Sequence, residues 1–122
     1  MPALPEGKIF QIKDGEFHFS VATSAMELMR GLKGVESLEP FHGMLFDFGV
    51  TMSVIMTPKG LNFPVELAFL NKDMEIVEIS SLNPGLGFTV ASTSKVYYSL
   101  EVPVGFFTQH NIAIGDKFTI KD

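Results

Sequence analysis

Residues 8–22, with the sequence KIFQIKDGEFHFSVA, decide the fold class, because they contain two extended runs around the pair Asp14-Gly15. An Asp-Gly pair between apolar extended segments is the strongest short-range indication of a β-hairpin. In the second run, large apolar side chains alternate with polar ones, which is the two-residue period of a strand with one buried face. We therefore predict a hairpin here, with His18 on its outer face.

The rest of the chain contains more runs typical of strands, at residues 43–49, 51–56, 63–70, 75–79, 95–102 and 117–120. The clearest is 95–102, whose alternate apolar residues are predicted to face the core: Val96, Tyr98, Leu100 and Val102. Strands do not alternate with helices along the sequence, so a parallel α/β fold is not expected. The pattern indicates a single, mostly β domain over residues 1–122, folded as a sandwich or a small, flattened barrel.

A single substantial helix is predicted, over residues 24–33. Ser24 and Glu27 fit a capping box, in which each side chain accepts a hydrogen bond from a free backbone N–H group at the start of the helix. Apolar residues then recur at helical spacing and are predicted to form a stripe that packs on the sheet: Ala25, Leu28, Met29 and Leu32. Gly34 can adopt the left-handed conformation that ends a helix.

The composition excludes several classes of protein. The chain has no cysteine, so disulfides, thiolate metal sites and thiol catalysis are ruled out. Its net charge is −5 and its nine basic residues are scattered, which disfavours binding to nucleic acid or to an anionic membrane surface. The amino terminus lacks the basic and apolar regions of a signal peptide, and no apolar run approaches the roughly 18 residues of a membrane span, so a cytoplasmic location is expected.

Established motifs for metals, nucleotides and nucleophilic catalysis are missing from the sequence. The three histidines, His18, His42 and His110, are far apart and have no neighbour at ligand spacing, so no metal site is predicted. Neither of the glycine motifs that bind phosphates is complete, and no Gly-x-Ser-x-Gly elbow occurs. No cofactor is therefore predicted.

Four residues are the best candidates for a binding site: Arg30, Glu66, Glu101 and His42. Arg30 is the only arginine and lies off the apolar stripe, and its planar guanidinium suits pairing with a carboxylate. Glu66 and Glu101 lie among apolar strand residues, where a carboxylate needs a partner. We expect both to converge with Arg30, with His42 nearby as a titrating group. The structural alternative is a buried ion pair that only pins the helix to the sheet.

Three stretches of the chain resemble a family of unknown function, DUF192: residues 27–38, which begin ELMRGL, residues 43–48 (GMLFDF) and residues 98–105 (YSLEVPVG). Gly115-Asp116 also falls where the family usually has Gly-Asp. The chain departs from the family's Trp-Met-Lys-Asn-Thr segment, which is here IMTPK at residues 55–59, and from its Pro-Leu-Asp, which is here Pro64-Val65-Glu66. The resemblance implies a compact, jelly-roll-like β-sandwich. It implies no activity, and many family members look exported.

These observations do not identify a function, but they point to two classes. We prefer a non-catalytic module that binds a small molecule or a protein partner, because the fold is well specified while no catalytic set is recognisable. The alternative is an acid–base or hydrolytic enzyme that uses Glu66 or Glu101, oriented by Arg30. A deep pocket that joins these groups would favour the enzyme.

Overall fold

A computed structural model describes residues 3–121 of the chain, and within that range it contains nine strands and two short helices. The strands are β1 (Gly7–Ile12), β2 (Gly15–Ala22), β3 (Gly43–Met52), β4 (Ile55–Met56), β5 (Val65–Leu70), β6 (Ile76–Leu82), β7 (Val90–Ala91), β8 (Val96–Pro103) and β9 (Thr119–Ile120). The helices are α1 (Ala25–Arg30) and α2 (Phe106–Gln109). Neither described helix has the length and apolar character needed to cross a bilayer.

Seven of the strands form one curled sheet in the order β6-β5-β8-β3-β2-β1-β9, and β4 pairs with β7 in a separate ribbon. Neighbouring strands are antiparallel except β2 and β3, which are parallel. The predicted first hairpin is confirmed, with Ile12 opposite Gly15. The mostly β fold is confirmed as well, with 45% of the residues in strands and 8% in helices, and the curled sheet forms a half-barrel.

The two edges of the sheet meet at one end. The backbone N–H of Ile76 donates to the carbonyl of Asp116 at 2.9 Å, and that of Gly115 donates to the carbonyl of Ile76 at 2.8 Å. A third bond joins the N–H of Phe118 to the carbonyl of Met74 at 3.1 Å. These bonds connect the start of β6 to the start of β9, so the sheet closes at this end and satisfies backbone groups that an open edge would expose.

Each face of the sheet carries its own hydrophobic cluster. The inner cluster fills the curl with side chains from six strands and α2, among them Phe10, Phe19, Leu100 and Phe118. The outer cluster lies between the opposite face and the segments that cover it, among them Leu32, Met44, Phe46, Leu67 and Val96. β8 lies between β5 and β3 near the middle of the sheet, so both of its faces are covered. As predicted, Leu100 and Val102 are buried on one face, in the inner cluster, and Tyr98 is half-buried against it. Val96 is buried as well, but in the outer cluster.

α1 begins where the sequence predicts and ends earlier. The backbone N–H of Glu27 donates to Ser24 Oγ and that of Ser24 donates to Glu27 Oε1, both at 3.1 Å, so the capping box is confirmed. The helix ends at Arg30 instead of continuing to Lys33, because Gly31 takes φ 50° and ψ −128°. A Cβ atom at Gly31 would also lie 3.0 Å from the Phe46 ring, so only glycine fits there without strain.

The predicted apolar stripe on α1 is mostly wrong. Ala25 and Met29 are exposed, Leu28 is half-buried, and Leu32, which is buried, lies in the turn after the helix. A six-residue helix makes fewer than two turns, so it cannot place four stripe residues against the sheet. The helix therefore contacts the sheet through one side only and leaves Met29 at 77% exposure.

Replacing Ser24 by Ala is expected to lower the free energy of unfolding by about 1 kcal/mol, because the N–H of Glu27 loses its hydrogen-bond acceptor. Urea denaturation of the two proteins measures the difference. The matched control is Ser94→Ala, an exposed serine between β7 and β8, which should change stability by less than about 0.5 kcal/mol. Equal stability of the Ser24 variant and the parent would contradict a stabilising cap.

Candidate functional site

A pocket of about 280 Å³ lies between α1, the turn that follows it and the outer face of the sheet, and we call it the α1 pocket. The segment that contains β4 covers its far side. It is lined by residues 28–33, Phe46, residues 55–57, Leu61 and Glu101. Most of these side chains are apolar, and three carry ionisable groups: Arg30, Lys33 and Glu101. The pocket therefore combines apolar walls with a few polar groups, as small-molecule sites usually do.

Glu101 is the most unusual residue of the α1 pocket. It lies on β8 opposite Met44 of β3 and Leu67 of β5, and its side chain shares their face of the sheet. Only 2% of its surface is exposed, and its Oε1 has no hydrogen-bond partner in the described part of the chain. Burial raises the pKa of Glu101 to about 8, because the ionised carboxylate would lose its hydration. At neutral pH the group is thus mainly a neutral acid that can donate and accept hydrogen bonds.

Ser99 is a second buried polar residue on the same face of β8. Its hydroxyl is fully buried and has no hydrogen-bond partner within residues 3–121. It lies opposite Phe46 of β3 and Phe69 of β5 and is not part of the lining of the α1 pocket. Because buried polar groups normally have partners, two such groups on one strand mark this face of β8 as unusual. Of the two, only Glu101 lines the pocket.

Arg30 and Lys33 provide the positive charge at the α1 pocket. Arg30 is the last residue of α1 and Lys33 belongs to the following turn, and both are exposed. Within residues 3–121 the ion pairs closer than 4.0 Å are Lys13 with Asp116 and Lys121 with Glu16. Arg30 therefore lines the same pocket as Glu101 without forming an ion pair with it, and it also lines a neighbouring pocket with Glu27.

Glu66 lies on the other side of the sheet. It is opposite Val102, whose side chain belongs to the inner cluster, so it faces away from Glu101. Its Oε1 accepts a hydrogen bond of 3.2 Å from the backbone N–H of Phe107 in the first turn of α2. Glu66 thus has a structural contact of its own and does not share a site with Arg30 and Glu101.

His42 also lies away from the α1 pocket. Its Nδ1 accepts a hydrogen bond of 2.9 Å from the backbone N–H of His18, and its ring meets the ring of Phe17 edge-on at 5.5 Å. Together with Glu16 and Lys121 these residues line a separate surface pocket. No group of three or more His, Asp or Glu side chains in residues 3–121 is arranged to hold a metal ion.

Two of the four candidate site residues therefore meet, since Arg30 and Glu101 line one pocket while Glu66 and His42 lie elsewhere. A binding role for any of the four stays a prediction. The sequence did not reveal the walls of the pocket, because Phe46 and Met56 were predicted only as strand residues. One signal could have revealed them: the stretches that resemble DUF192, and the segment at residues 55–59 that departs from it, all contribute to this lining.

Comparisons with known proteins agree on the family and the fold. The model of the family DUF192, described as "Uncharacterized ACR", matches residues 8–120. No curated protein matches the chain. A crystal structure of a "putative transcription regulator" from Sinorhizobium meliloti 1021 superposes with a TM-score of 0.85 at 23% identity, covering 98% of both chains. A protein of unknown function from Novosphingobium aromaticivorans DSM 12444 gives 0.83 at 19% identity, covering 98% of this chain and 92% of the other. At these identities the two structures are evidence for the fold alone.

Proposed function

The chain belongs to the DUF192 family, and from that premise and the α1 pocket we propose that it is a non-catalytic module that binds a small ligand beside Glu101. The observation that carries the proposal is the buried Oε1 of Glu101, which has no partner in residues 3–121 and lines a pocket. An unsatisfied buried polar group costs about 1–3 kcal/mol. A ligand that supplies the missing hydrogen bond recovers part of that cost.

The shape of the α1 pocket favours a small molecule over a protein partner. Its volume of about 280 Å³ lies near the lower end of the roughly 300–1,000 Å³ range of ligand sites. Glu101 is 2% exposed, so a group of the ligand must enter the pocket to reach it. Met29 and Ile55 line the pocket and are each more than two-thirds exposed, which leaves apolar surface for the ligand to cover.

A bulky side chain at Thr57 is expected to abolish ligand binding. Thr57 is exposed and lines the α1 pocket, so the indole of Thr57→Trp would occupy the pocket. The variant loses one exposed hydrogen bond, which the Thr57 hydroxyl accepts from the backbone N–H of Lys59 at 3.1 Å, but it disturbs no core. Fragments can be screened by NMR, using the backbone amides of Gly31, Lys33 and Met56 as reporters. We expect fragments that shift these amides in the parent to bind at least about tenfold more weakly to the variant, since steric exclusion removes more than about 1.4 kcal/mol.

The matched control is Thr108→Trp, which adds the same indole at an exposed threonine of α2, outside the lining of the α1 pocket. It should bind the same fragments as the parent. Fragments that bind Thr57→Trp and the parent equally well would argue against this pocket as the site. A screen in which no fragment shifts the three reporter amides would contradict the binding function itself.

An acid–base enzyme is the second candidate, because a carboxyl group whose pKa is raised to about 8 inside a pocket is typical of general acids. Glu101 is the carboxylate that fits this role. Glu66 fits less well, since it caps α2 on the other face. The two functions differ in what happens to a bound ligand. Recovery of the ligand unchanged after prolonged incubation supports the binding module, whereas conversion that disappears in Glu101→Gln supports the enzyme.

Gene regulation through DNA, suggested by the description of the Sinorhizobium protein, is a weaker proposal for this chain. The net charge of −5 repels a phosphate backbone. Phosphate binding requires clustered lysine or arginine side chains, and the basic residues here are scattered along the chain. We therefore propose a small-molecule ligand and no nucleic-acid partner.

A further inference from the structure

The charges around the α1 pocket select for the charge of the ligand. Arg30 and Lys33 line the pocket and are exposed, so the positive charge of the lining belongs to residues on its solvent-exposed side, which we call the rim. The chain as a whole carries −5, which makes this pair a local positive site on an acidic protein. Glu101 is the one acidic residue in the lining and lies at the base. A positive rim above a protonated acid attracts an anion and repels a cation.

The base of the α1 pocket favours an uncharged polar group of the ligand, in contrast to the anionic group that the rim attracts. Glu101 Oε1 is buried, so a partner group must be desolvated to reach it. Burying an ion there would be costly, whereas an uncharged hydroxyl or carbonyl can exchange a hydrogen bond with the neutral acid at a modest cost. Because the rim and the base prefer different groups, the ligand should carry an anionic group at one end and an uncharged polar group at the other.

The walls between rim and base indicate the body of the ligand. Phe46 presents an aromatic ring, and Met29 and Met56 present thioether side chains. Aromatic rings pack favourably on other rings and on methionine sulfur. The volume of about 280 Å³ accommodates a single substituted ring.

We propose that the α1 pocket binds a small aromatic carboxylate that carries a second, uncharged hydrogen-bonding group, with its carboxylate at Arg30 and Lys33 and its uncharged group at Glu101. This inference rests on the binding function proposed above and names the chemical class of its ligand. Arg30 contributes a planar set of N–H donors that matches a carboxylate. Glu101 acts as the residue that selects the second group.

Four probes of similar size separate the contribution of the negative charge from that of the second polar group: 4-hydroxybenzoate, benzoate, 4-hydroxybenzamide and tyramine. Calorimetric titration of the full chain at pH 7 measures their affinities. We expect 4-hydroxybenzoate to bind about tenfold more tightly than benzoate, which lacks the second group, and about tenfold more tightly than 4-hydroxybenzamide, which lacks the charge. Tyramine, a cation, should bind most weakly. Tightest binding by tyramine, or equal binding by all four probes, would overturn the proposal.

Two variants test which residue binds each end of the ligand. Arg30→Gln should reduce the preference for 4-hydroxybenzoate over 4-hydroxybenzamide to about twofold, because only Lys33 remains. Glu101→Leu should remove the preference for 4-hydroxybenzoate over benzoate. Lys72→Gln, an exposed charge change outside the α1 pocket, is the matched control and should leave both ratios unchanged. Arg30 is exposed, so Arg30→Gln should fold and can test the contact with the carboxylate even if Glu101→Leu does not fold. Unchanged ratios in Arg30→Gln would overturn the assignment.

Failure of this proposal can be told apart from failure of the binding function. If uncharged or cationic fragments shift the amides of the α1 pocket while the carboxylates do not, the ligand class is wrong and the binding function stands. If the four probes and the fragment screen all leave those amides unchanged, both are wrong. If 4-hydroxybenzoate binds and Thr57→Trp blocks it, while Thr108→Trp does not, both are supported.

Discussion

Raising the pH from 5.5 to 8 is expected to lower the free energy of unfolding by about 3 kcal/mol through the single carboxyl group of Glu101. Burial raises the pKa of Glu101 from 4.5 to about 8, so between these values the folded chain holds a proton that the unfolded chain releases. Stability therefore falls as the pH rises, by about 1.4 kcal/mol for each pH unit in this window. The contribution is fully present below pH 4.5 and is lost as the pH passes about 8.

Urea denaturation at several pH values, carried out on the parent and on Glu101→Gln, measures this effect. Gln has nearly the same shape and does not titrate, so the fall in stability specific to Glu101 should disappear in the variant. At pH 8 the variant should be as stable as the parent or more stable, because it has no charge to bury. Parallel stability curves for the two proteins between pH 5.5 and 8 would show that Glu101 is ionised at neutral pH or hydrated in the fold.

Replacing Leu100 by Ala is expected to cost about 2 to 5 kcal/mol of stability. Leu100 has no exposed surface and lies on β8 opposite Leu45 of β3 and Ala68 of β5. All three belong to the inner cluster, where neighbours on three strands limit how far the sheet can close over a cavity. Denaturant unfolding monitored by circular dichroism measures the loss.

Val104→Ala is the matched control for this cavity. Val104 is 62% exposed and follows β8 directly, so its truncation should change stability by less than about 0.5 kcal/mol. A Leu100→Ala variant as stable as the control would mean that Leu100 does not face the inner cluster.

Structural features that depend on residues close together in the sequence could be predicted from it. The turn at Asp14-Gly15 and the capping box of Ser24 and Glu27 depend on contacts within a few residues, and both are confirmed. The predicted length of α1 was wrong because the end of this helix depends on a contact with a residue distant in the sequence. The spacing of apolar residues in helical order shows where a helix could continue, but Gly31 departs from helical dihedral angles so that the turn can pass the Phe46 ring.

Features set by strand register could not be predicted. Whether Glu66 and Glu101 share a face depends on which residue of β5 lies opposite which residue of β8, and the register places Glu66 opposite Val102. Alternation along β8 placed Glu101 on the face opposite the predicted core residues, and the sequence did not show that α1 and the β4 segment cover that face. The meeting of Arg30 and Glu101 at one pocket was predicted only from the scarcity of other candidates.

The position of β8 in the sheet affects how the protein folds during its synthesis. β3 and β5 do not pair with each other, and both take β8 as a neighbour although it is made after them. Until Val96–Pro103 has left the ribosome, a nascent chain therefore holds two separate pieces, each with an unpaired strand edge. Such edges are prone to aggregate, and pairing between distant segments is slow. A chaperone that binds nascent chains should consequently stay on this one until β8 emerges.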